Sequence, residues 1–325
     1  MRSQVLLIML SRRLLRIKVL QSLYAHYKSQ ASTLKQSEKQ LFFSIEKTYD
    51  LYHYLLLLII EIIDYADSRI KLAKHKKIPT DEDLNPNTRF IENRLIRQLK
   101  DNPYLKSHIK KTKLSWIDYP ELVRKLFREI TISEDFKKYM SDEEAGYESD
   151  KRIISKIFSR QIISFEELYL ILEEQSIFWN DDVEFVISMI VKTIKKFKEE
   201  NGSENPLMPM YRNSDDKEFV KRLFRNAITH EDEYTKLIEK YTTNWEIDRI
   251  AFMDILVMQL GIAEIIEFHD IPTKVSFNEY LEIAKFYSTP KSSHFINGIL
   301  DKVIQQLKKD KVIIKKGRGL VGEEI

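Results

Sequence analysis

The sequence predicts an all-α protein. Three observations carry that expectation. Apolar residues recur at helical spacing almost throughout, and no stretch alternates convincingly in the manner of a strand. The chain has only seven glycines and eight prolines in 325 residues, where average usage would give about 20 and 16. Such sparse punctuation suits long helices better than a many-turned β fold. Cysteine is absent, which excludes disulfides, thiolate metal sites and a cysteine nucleophile, and is compatible with a cytosolic setting.

The opening segment, "SRRLLRIKVLQSLYAHY" at 11–27, predicts the first helix. At 100° per residue, Val19, Leu20, Leu23 and Tyr27 share one stripe, widened by Leu15, Ile17 and Tyr24. A helix apolar around this much of its circumference is a buried one. Arg16 nevertheless lies along the middle of that stripe, with Arg12 one turn earlier and Arg13 beside it. An unpaired buried guanidinium is costly, so either this turn overhangs the core or an anion meets it. Met9 immediately precedes the helix, which leaves 1–8 as an upstream extension.

A long helix is expected over about 34–75. Its centre, "YLLLLIIEII" at 54–63, is interrupted by Glu61 and falls well short of the ~18 apolar residues that suggest a membrane span. "VLLIML" at 5–10 is too short for a signal core. His26 and His53, inside apolar helices, read as hydrogen-bonded core histidines. The turn-rich "HKKIPTDEDLNPNT" (75–88) is a loop, and helical stretches follow at about 89–113, 118–140, 151–175 and 181–199. "ENGSENPLMPMYRNSDD" (200–216) is the clearest boundary. Beyond it, helices are expected at about 216–229, 232–242, 246–268, 275–287 and 292–309, with a disordered tail from "KKGRGLVGEEI". The resulting division is 1–8, 9–75, 76–215, 216–310 and 311–325. "ELVRKLFRE" (121–129) echoes "EFVKRLFRN" (218–226), either as a decayed duplication or as two amphipathic helices alike by chance.

The net charge of +3 conceals an asymmetry. Residues 1–28 carry +6 and residues 302–325 carry +4, which leaves the remaining 273 at −7. Basic ends on an acidic body suggest a localised polyanion site, although a soluble tail plus a chance cluster would give the same numbers.

Motifs for chemistry are few. No HExxH, GxGxxG or GxxxxGK[ST] occurs, so neither a metal nor a nucleotide cofactor is indicated, and no catalytic residues emerge. The segment "IPTKVSFNEYLEIAKFYSTPKSSHFINGILDKV" (271–303) is more informative. Ser276 is placed to cap one helix, and Pro290 with Ser292 to begin the last. Asn278 and Asn297 are expected to hydrogen-bond within the bundle. Gly298 is expected to admit a closely packed helix, since a mid-helix glycine costs about 1 kcal/mol relative to alanine. Lys291, Ser292 and His294 fall where the last helix starts. A helix N-terminus offers free N–H groups to an anion, and simple capping is the competing account.

Both ends of the chain resemble the NusB family of transcription antitermination factors. "SRRLLRIKVLQSLY" resembles that family's arginine-rich opening helix. "KVSFNEYLEIAKFYS" and "SHFINGILDKV" resemble its asparagine–glutamate helix and its phenylalanine-x-asparagine-glycine helix, while "FVKRLF" and "WEIDRIAFMDILVMQLGIAEI" fit the helices before them. The likeness covers about 10–60 and 216–309.

The resemblance implies two small packed helical bundles, here with a large helical insertion, and a non-enzymatic role without cofactors. It implies binding of single-stranded boxA-like nascent RNA jointly with the ribosomal protein NusE. RNA polymerase within the antitermination complex would then resist termination, notably over ribosomal RNA operons. By the same resemblance Arg12, Arg13 and Arg16 project toward RNA phosphates. Lys18, on the opposite side, contributes less. Lys291, Ser292, His294 and Phe295 form the second part of the RNA surface, and Tyr24, Asp248 and Arg249 face the protein partner. Residues from about 60 to 215 have no counterpart in compact members. Lys291 and Arg249 stand where acids are common in the family. A cysteine-dependent RNA methyltransferase, the enzymatic rival, is excluded by the missing cysteine. A helical scaffold with a decayed RNA surface is the other alternative.

Overall fold

A computed structural model describes residues 9–29, 33–142, 146–242 and 250–322, excepting the side chains of Pro290 and Lys291. Among the described residues there is no strand, in agreement with the all-α expectation. The expected upstream extension 1–8, Asp248 and Arg249 lie outside them.

In chain order the helices are α1 (Arg12–Lys28), α2 (Leu34–Lys74), α3 (Asp81–Leu84), α4 (Arg94–Asp101), α5 (Pro103–Thr112), α6 (Pro120–Ile132), α7 (Glu134–Ser141), α8 (Tyr147–Lys156), α9 (Glu166–Gln175), α10 (Val183–Lys196), α11 (Ser214–Thr229), α12 (Glu231–Glu239), α13 (Phe252–Glu267), α14 (Thr273–Tyr287) and α15 (Pro290–Lys309). Several expected helices are split by capping chemistry. The stretch at 89–113 breaks at Asn102, whose side chain accepts from the Leu105 N–H while Pro103 opens α5. The stretch at 118–140 breaks at Ser133, which caps α7 by accepting from Phe136 N–H.

The chain forms two compact units. One consists of Glu46–Met210 with Met9, whose N–H donates to Pro209 O at 3.0 Å. Its core is the apolar second half of α2, where Leu51, Leu55, Leu58, Ile59 and Ile62 are fully buried. Tyr54 stacks on Trp116 at 3.8 Å between ring centres, and Trp116 Nε1 donates to Tyr54 O at 2.9 Å. His53 is buried, stacked at 3.8 Å on His108, and its Nδ1 lies 2.9 Å from Tyr49 O. The loop after α2 thus falls inside this unit, because the division within α2 comes at Glu46.

The other unit consists of Leu10–Ile45 and Tyr211–Ile325. Its axis is α13, buried at every position from Leu256 to Ile265 and packed against α1, α11, α12, α14 and α15. A helix enclosed on all sides must be apolar nearly all round, as "LVMQLGIAEI" is. Gly261 packs in contact with two neighbouring helices: a Cβ there would meet Tyr280 at 3.4 Å and Leu300 at 3.5 Å. His26 Nδ1 pairs with Ser37 Oγ at 2.7 Å, hydrogen-bonded as expected but half-buried rather than in the core.

Some expectations for this unit are corrected. Ser276 does not cap α14. The helix begins at Thr273, so Ser276 lies inside the first turn with its hydroxyl turned into the core. The cap of α15 is Thr289, whose hydroxyl accepts from Ser292 N–H at 3.2 Å. Asn278 and Asn297 are exposed rather than buried in the bundle. Gly298 admits no neighbouring helix, since a Cβ there would meet nothing within 4 Å. The tail is docked as far as Gly319. Lys315 Nζ donates to Ile265 O and Phe268 O at 2.8 and 3.0 Å, which satisfies carbonyls at the C-terminus of α13. Lys316 N–H donates to His269 O. The sequence echo marks α6 and α11, and both bury the second, third and sixth residues of the echo and the residue just after it (Leu122, Val123, Leu126 and Ile130; Phe219, Val220, Leu223 and Ala227). That is the common pattern of an amphipathic helix.

Candidate nucleic-acid interface

Ser11 caps α1 by accepting from Leu14 N–H, so the three arginines occupy its first two turns. Their environments differ. Arg13 is half-exposed and donates through Nε and Nη2 to Glu279 at 2.8 and 2.7 Å. Arg12, 35% exposed in its side chain, donates to Asp216 at 3.2 Å and lies over the Phe219 ring, 5.0 Å from its centre.

Arg16 is 3% exposed. Its Nε and Nη2 donate to the two oxygens of Glu264 at 2.7 and 2.6 Å, and Nη1 stands 3.6 Å from Glu279. Glu264, itself fully buried, also accepts from Ser276 Oγ at 2.7 Å and Tyr280 Oη at 2.9 Å. Its two oxygens therefore take four donors, and such saturation is what makes a buried ion pair tolerable. Burial works against the Arg16 charge, but the Coulombic pull and hydrogen bonds of Glu264 outweigh it and raise its pKa. The hydrogen bond from Arg13, helped by the Arg16 charge, holds the Glu279 carboxyl below the usual carboxylate range.

The expectation that Arg16 projects to an external phosphate is thereby corrected: the anion it meets belongs to α13. Lys18 is enclosed as well, at 2% exposure, because α1 is buried on most of its circumference between Leu14 and Leu23. Arg12 and Arg13 remain reachable.

The second part of the expected surface begins α15. Ser292 is 9% exposed, and its hydroxyl lies 2.8 Å from that of Thr289, so this helix end is already capped. His294 is exposed and Phe295 half-buried; the side chain of Lys291 lies outside the described residues. α14 links this end to the arginines. Glu279, in its second turn, holds Arg13, and Tyr287 at its end accepts from Gln21 Nε2 through its hydroxyl at 3.1 Å. α1 and α14 thus run parallel, and Arg13 and Gln21 are spaced about 12 Å along the helix. The two parts of the expected surface are therefore set apart along an extended seam.

Tyr24, expected to face a protein partner, is 39% exposed, 5.8 Å from the Phe252 ring. Lys28 Nζ covers Phe252 at 4.6 Å and Tyr24 at 5.8 Å. Sequence reasoning missed Glu264, Glu279 and Tyr287. A signal for Glu264 was present: an acid inside the apolar run "MDILVMQLGIAEII" demands a counter-charge, and Arg16 is the matching base on an apolar stripe.

Comparison with known proteins agrees with this unit. The NusB family model matches residues 187–305. The transcription antitermination protein NusB of Salinibacter ruber is 38% identical over 115 residues, covering 35% of this chain and 72% of that protein. The chain belongs to the NusB family. Two further NusB proteins, from Chloroherpeton thalassium and Natranaerobius thermophilus, are 44% and 54% identical over 105 and 78 residues. Those stretches are 32% and 24% of this chain, and they span about half of each relative, 50% and 54%. No solved structure matches. The NusB match lies largely in the unit built around α13, and most of the unit built around the second half of α2 falls outside it. Among the described residues no helix is long and apolar enough to cross a membrane, and no cluster of metal-ligating side chains occurs.

Proposed function

We propose that this NusB-family chain is a cytoplasmic, non-enzymatic transcription antitermination factor. It binds boxA-like single-stranded nascent RNA together with the ribosomal protein NusE, so that RNA polymerase in the antitermination complex reads through terminators, notably in ribosomal RNA operons. Family membership supports the class of activity. The observation that carries the RNA surface is the division of labour in α1. Arg16 anchors the helix internally, which leaves Arg12 and Arg13 at its solvent edge with their orientation fixed.

In this reading a single strand follows the α1–α14 seam. It takes phosphates at Arg12 and Arg13, passes Gln21 and Tyr287, and reaches the start of α15, where Lys291, Ser292, His294 and Phe295 stand. Phe295 and the exposed His294 offer ring surface for unpaired bases. Tyr24, carried beside Phe252 and Lys28, contacts NusE, a role that the family resemblance extends to Asp248 and Arg249.

The test is anisotropy titration of a labelled boxA-like RNA across a salt series, with and without NusE. Arg12→Ala with Arg13→Ala is expected to weaken binding and to flatten the slope of log K against log salt by about 0.7 for each lost phosphate contact. Unchanged affinity and slope would refute the assignment. Tyr24→Ala is expected to reduce the gain in affinity from NusE while leaving binding of RNA alone intact.

A further inference from the structure

The unit built around the second half of α2 carries a basic surface of its own. Residues 94–113, "RLIRQLKDNPYLKSHIKKTK", hold seven bases and one acid, as strong a positive balance as the chain's first 28 residues. Much of α4's share is neutralised: Arg94 pairs with Asp150 and Glu199, and Lys100 with Asp64. α5 is different. Its buried side is marked by Leu105, and at 100° per residue Tyr104, Lys106, Ser107, Lys110 and Lys111 occupy the opposite arc. All five are exposed, as is Lys113 just beyond the helix. Lys106 pairs with Asp101, whereas Lys110, Lys111 and Lys113 have no ion-pair partner among the described residues. No acid occurs anywhere from Asn102 to Ile117.

A helix C-terminus attracts lysine through its dipole, and that accounts for one or two cations in the last turn. It does not account for a whole solvent arc without an acid, on a body whose charge is otherwise negative. Lys113 adds a separate observation. It has φ 58 and ψ 30, the left-handed position after a helix, with its N–H donating to Ile109 O. Stability at that position favours glycine or asparagine, yet a lysine stands there. Exposed Tyr104, at 55%, supplies an aromatic surface on the same arc.

We propose that the exposed face of α5, through Lys110, Lys111 and Lys113, is a second contact for the phosphate backbone of RNA, separate from the arginines of α1. The choice of RNA as the polyanion rests on the functional reading above. The face holds RNA by charge, with Tyr104 offering a stacking platform. Two cationic faces on one chain raise the effective concentration of a bound strand at the second site, which favours long transcripts over short ones.

The experiment uses the full chain, a 40-nucleotide unstructured single-stranded RNA and a salt series. Lys110→Gln, Lys111→Gln and Lys113→Gln together are expected to lower affinity about tenfold at low salt and to reduce the salt slope by about 2, with the melting temperature retained. Arg12→Ala with Arg13→Ala is titrated in parallel. If the glutamine variant binds with the parent's affinity and slope, the α5 contact is overturned, while a persisting effect of the arginine variant keeps the α1 reading in place. If only the glutamine variant loses affinity, the α5 contact holds and the α1 assignment falls. Lys113→Gly alone is expected to stabilise the fold and still lower the slope, an outcome that loss of folding cannot mimic. Polyglutamate of equal charge is the competitor. Displacement of RNA as effective as that by unlabelled RNA would overturn the proposal in favour of an acidic protein partner.

Discussion

Arg16 and Glu264 are 248 residues apart in the chain and meet in a buried two-point ion pair, with N–O distances of 2.7 and 2.6 Å. The pair fastens α1 to the central helix of its unit, and the hydroxyls of Ser276 and Tyr280 complete the coordination of the carboxylate. It is therefore an internal joint of the fold, within a turn of the two arginines that stay within reach of solvent.

Removing either member leaves a buried charge without its partner. Arg16→Ala or Glu264→Ala is expected to destabilise this unit by about 3–5 kcal/mol, read as a fall in the midpoint of urea unfolding. Arg13→Ala, which breaks a half-exposed pair, is expected to cost no more than about 1 kcal/mol. Equal losses from the two arginine substitutions would contradict the division between anchor and ligand contact.

Glu279 occupies the guanidinium that the proposed RNA phosphate requires. Glu279→Gln removes the competing charge and leaves hydrogen-bonding oxygen and shape largely in place. RNA affinity at low salt is expected to rise several-fold, and the rise should vanish when Arg13 is also replaced by alanine. A fall in affinity would mean that Glu279 positions Arg13 rather than competing for it.

Gly298 lies inside α15 with open space where a side chain would be. Gly298→Ala is expected to stabilise the unit by up to about 1 kcal/mol, visible as a higher melting temperature. A lower melting temperature would show that the position is packed in a way the open space does not reveal.

His53 and Asp50 make the stability of the other unit dependent on pH. Burial, reinforced by His108, pushes His53 down to about 3, below its ordinary value near 6.5. Burial would raise Asp50, but the hydrogen bonds from His108 and Lys47 and their charges hold it below the usual range. Both groups bind protons more readily when the chain is unfolded. His53 therefore contributes stability fully above about pH 6.5, and the contribution declines as pH falls toward 3; that of Asp50 is lost at the acidic end. Denaturant melts between pH 7 and 4 are expected to show falling stability, with a slope of up to about 1.4 kcal/mol per pH unit from His53. His53→Asn should flatten that slope.

Lys315 ties the tail to the end of α13. Lys315→Ala is expected to cost about 1.5–3 kcal/mol, the range for hydrogen bonds to a charged group, as measured by thermal melting. No change would mean that water replaces the ammonium at those carbonyls without penalty.

Most helices were legible because apolar spacing is a local property, and α2, α11 and α15 run close to where the period places them. Breaks were harder to see. Asn102 and Ser133 interrupt apolar patterns that continue across them, and only the cap geometry shows that the axis ends there. The tail was misread because its composition is that of a solvated segment, while its docking depends on carbonyls left unpaired at the end of another helix. Arg16 and Lys18 show the same division for the site. Their place in an apolar helix could be read directly, whereas the accessibility of each charge could not.

The sequence by itself determined the helical class, the likeness of the C-terminal helices to NusB proteins, and the presence of a base on α1 that required an anion. Tertiary structure alone decided that the anion is Glu264, that Arg12 and Arg13 are the α1 arginines left within reach of solvent, and that Thr289 closes the start of α15. The reason is physical. Helical periodicity arises between residues three and four apart, whereas the freedom of a charge to meet a ligand depends on which opposite charge packing has already brought beside it, and that partner can lie anywhere along the chain.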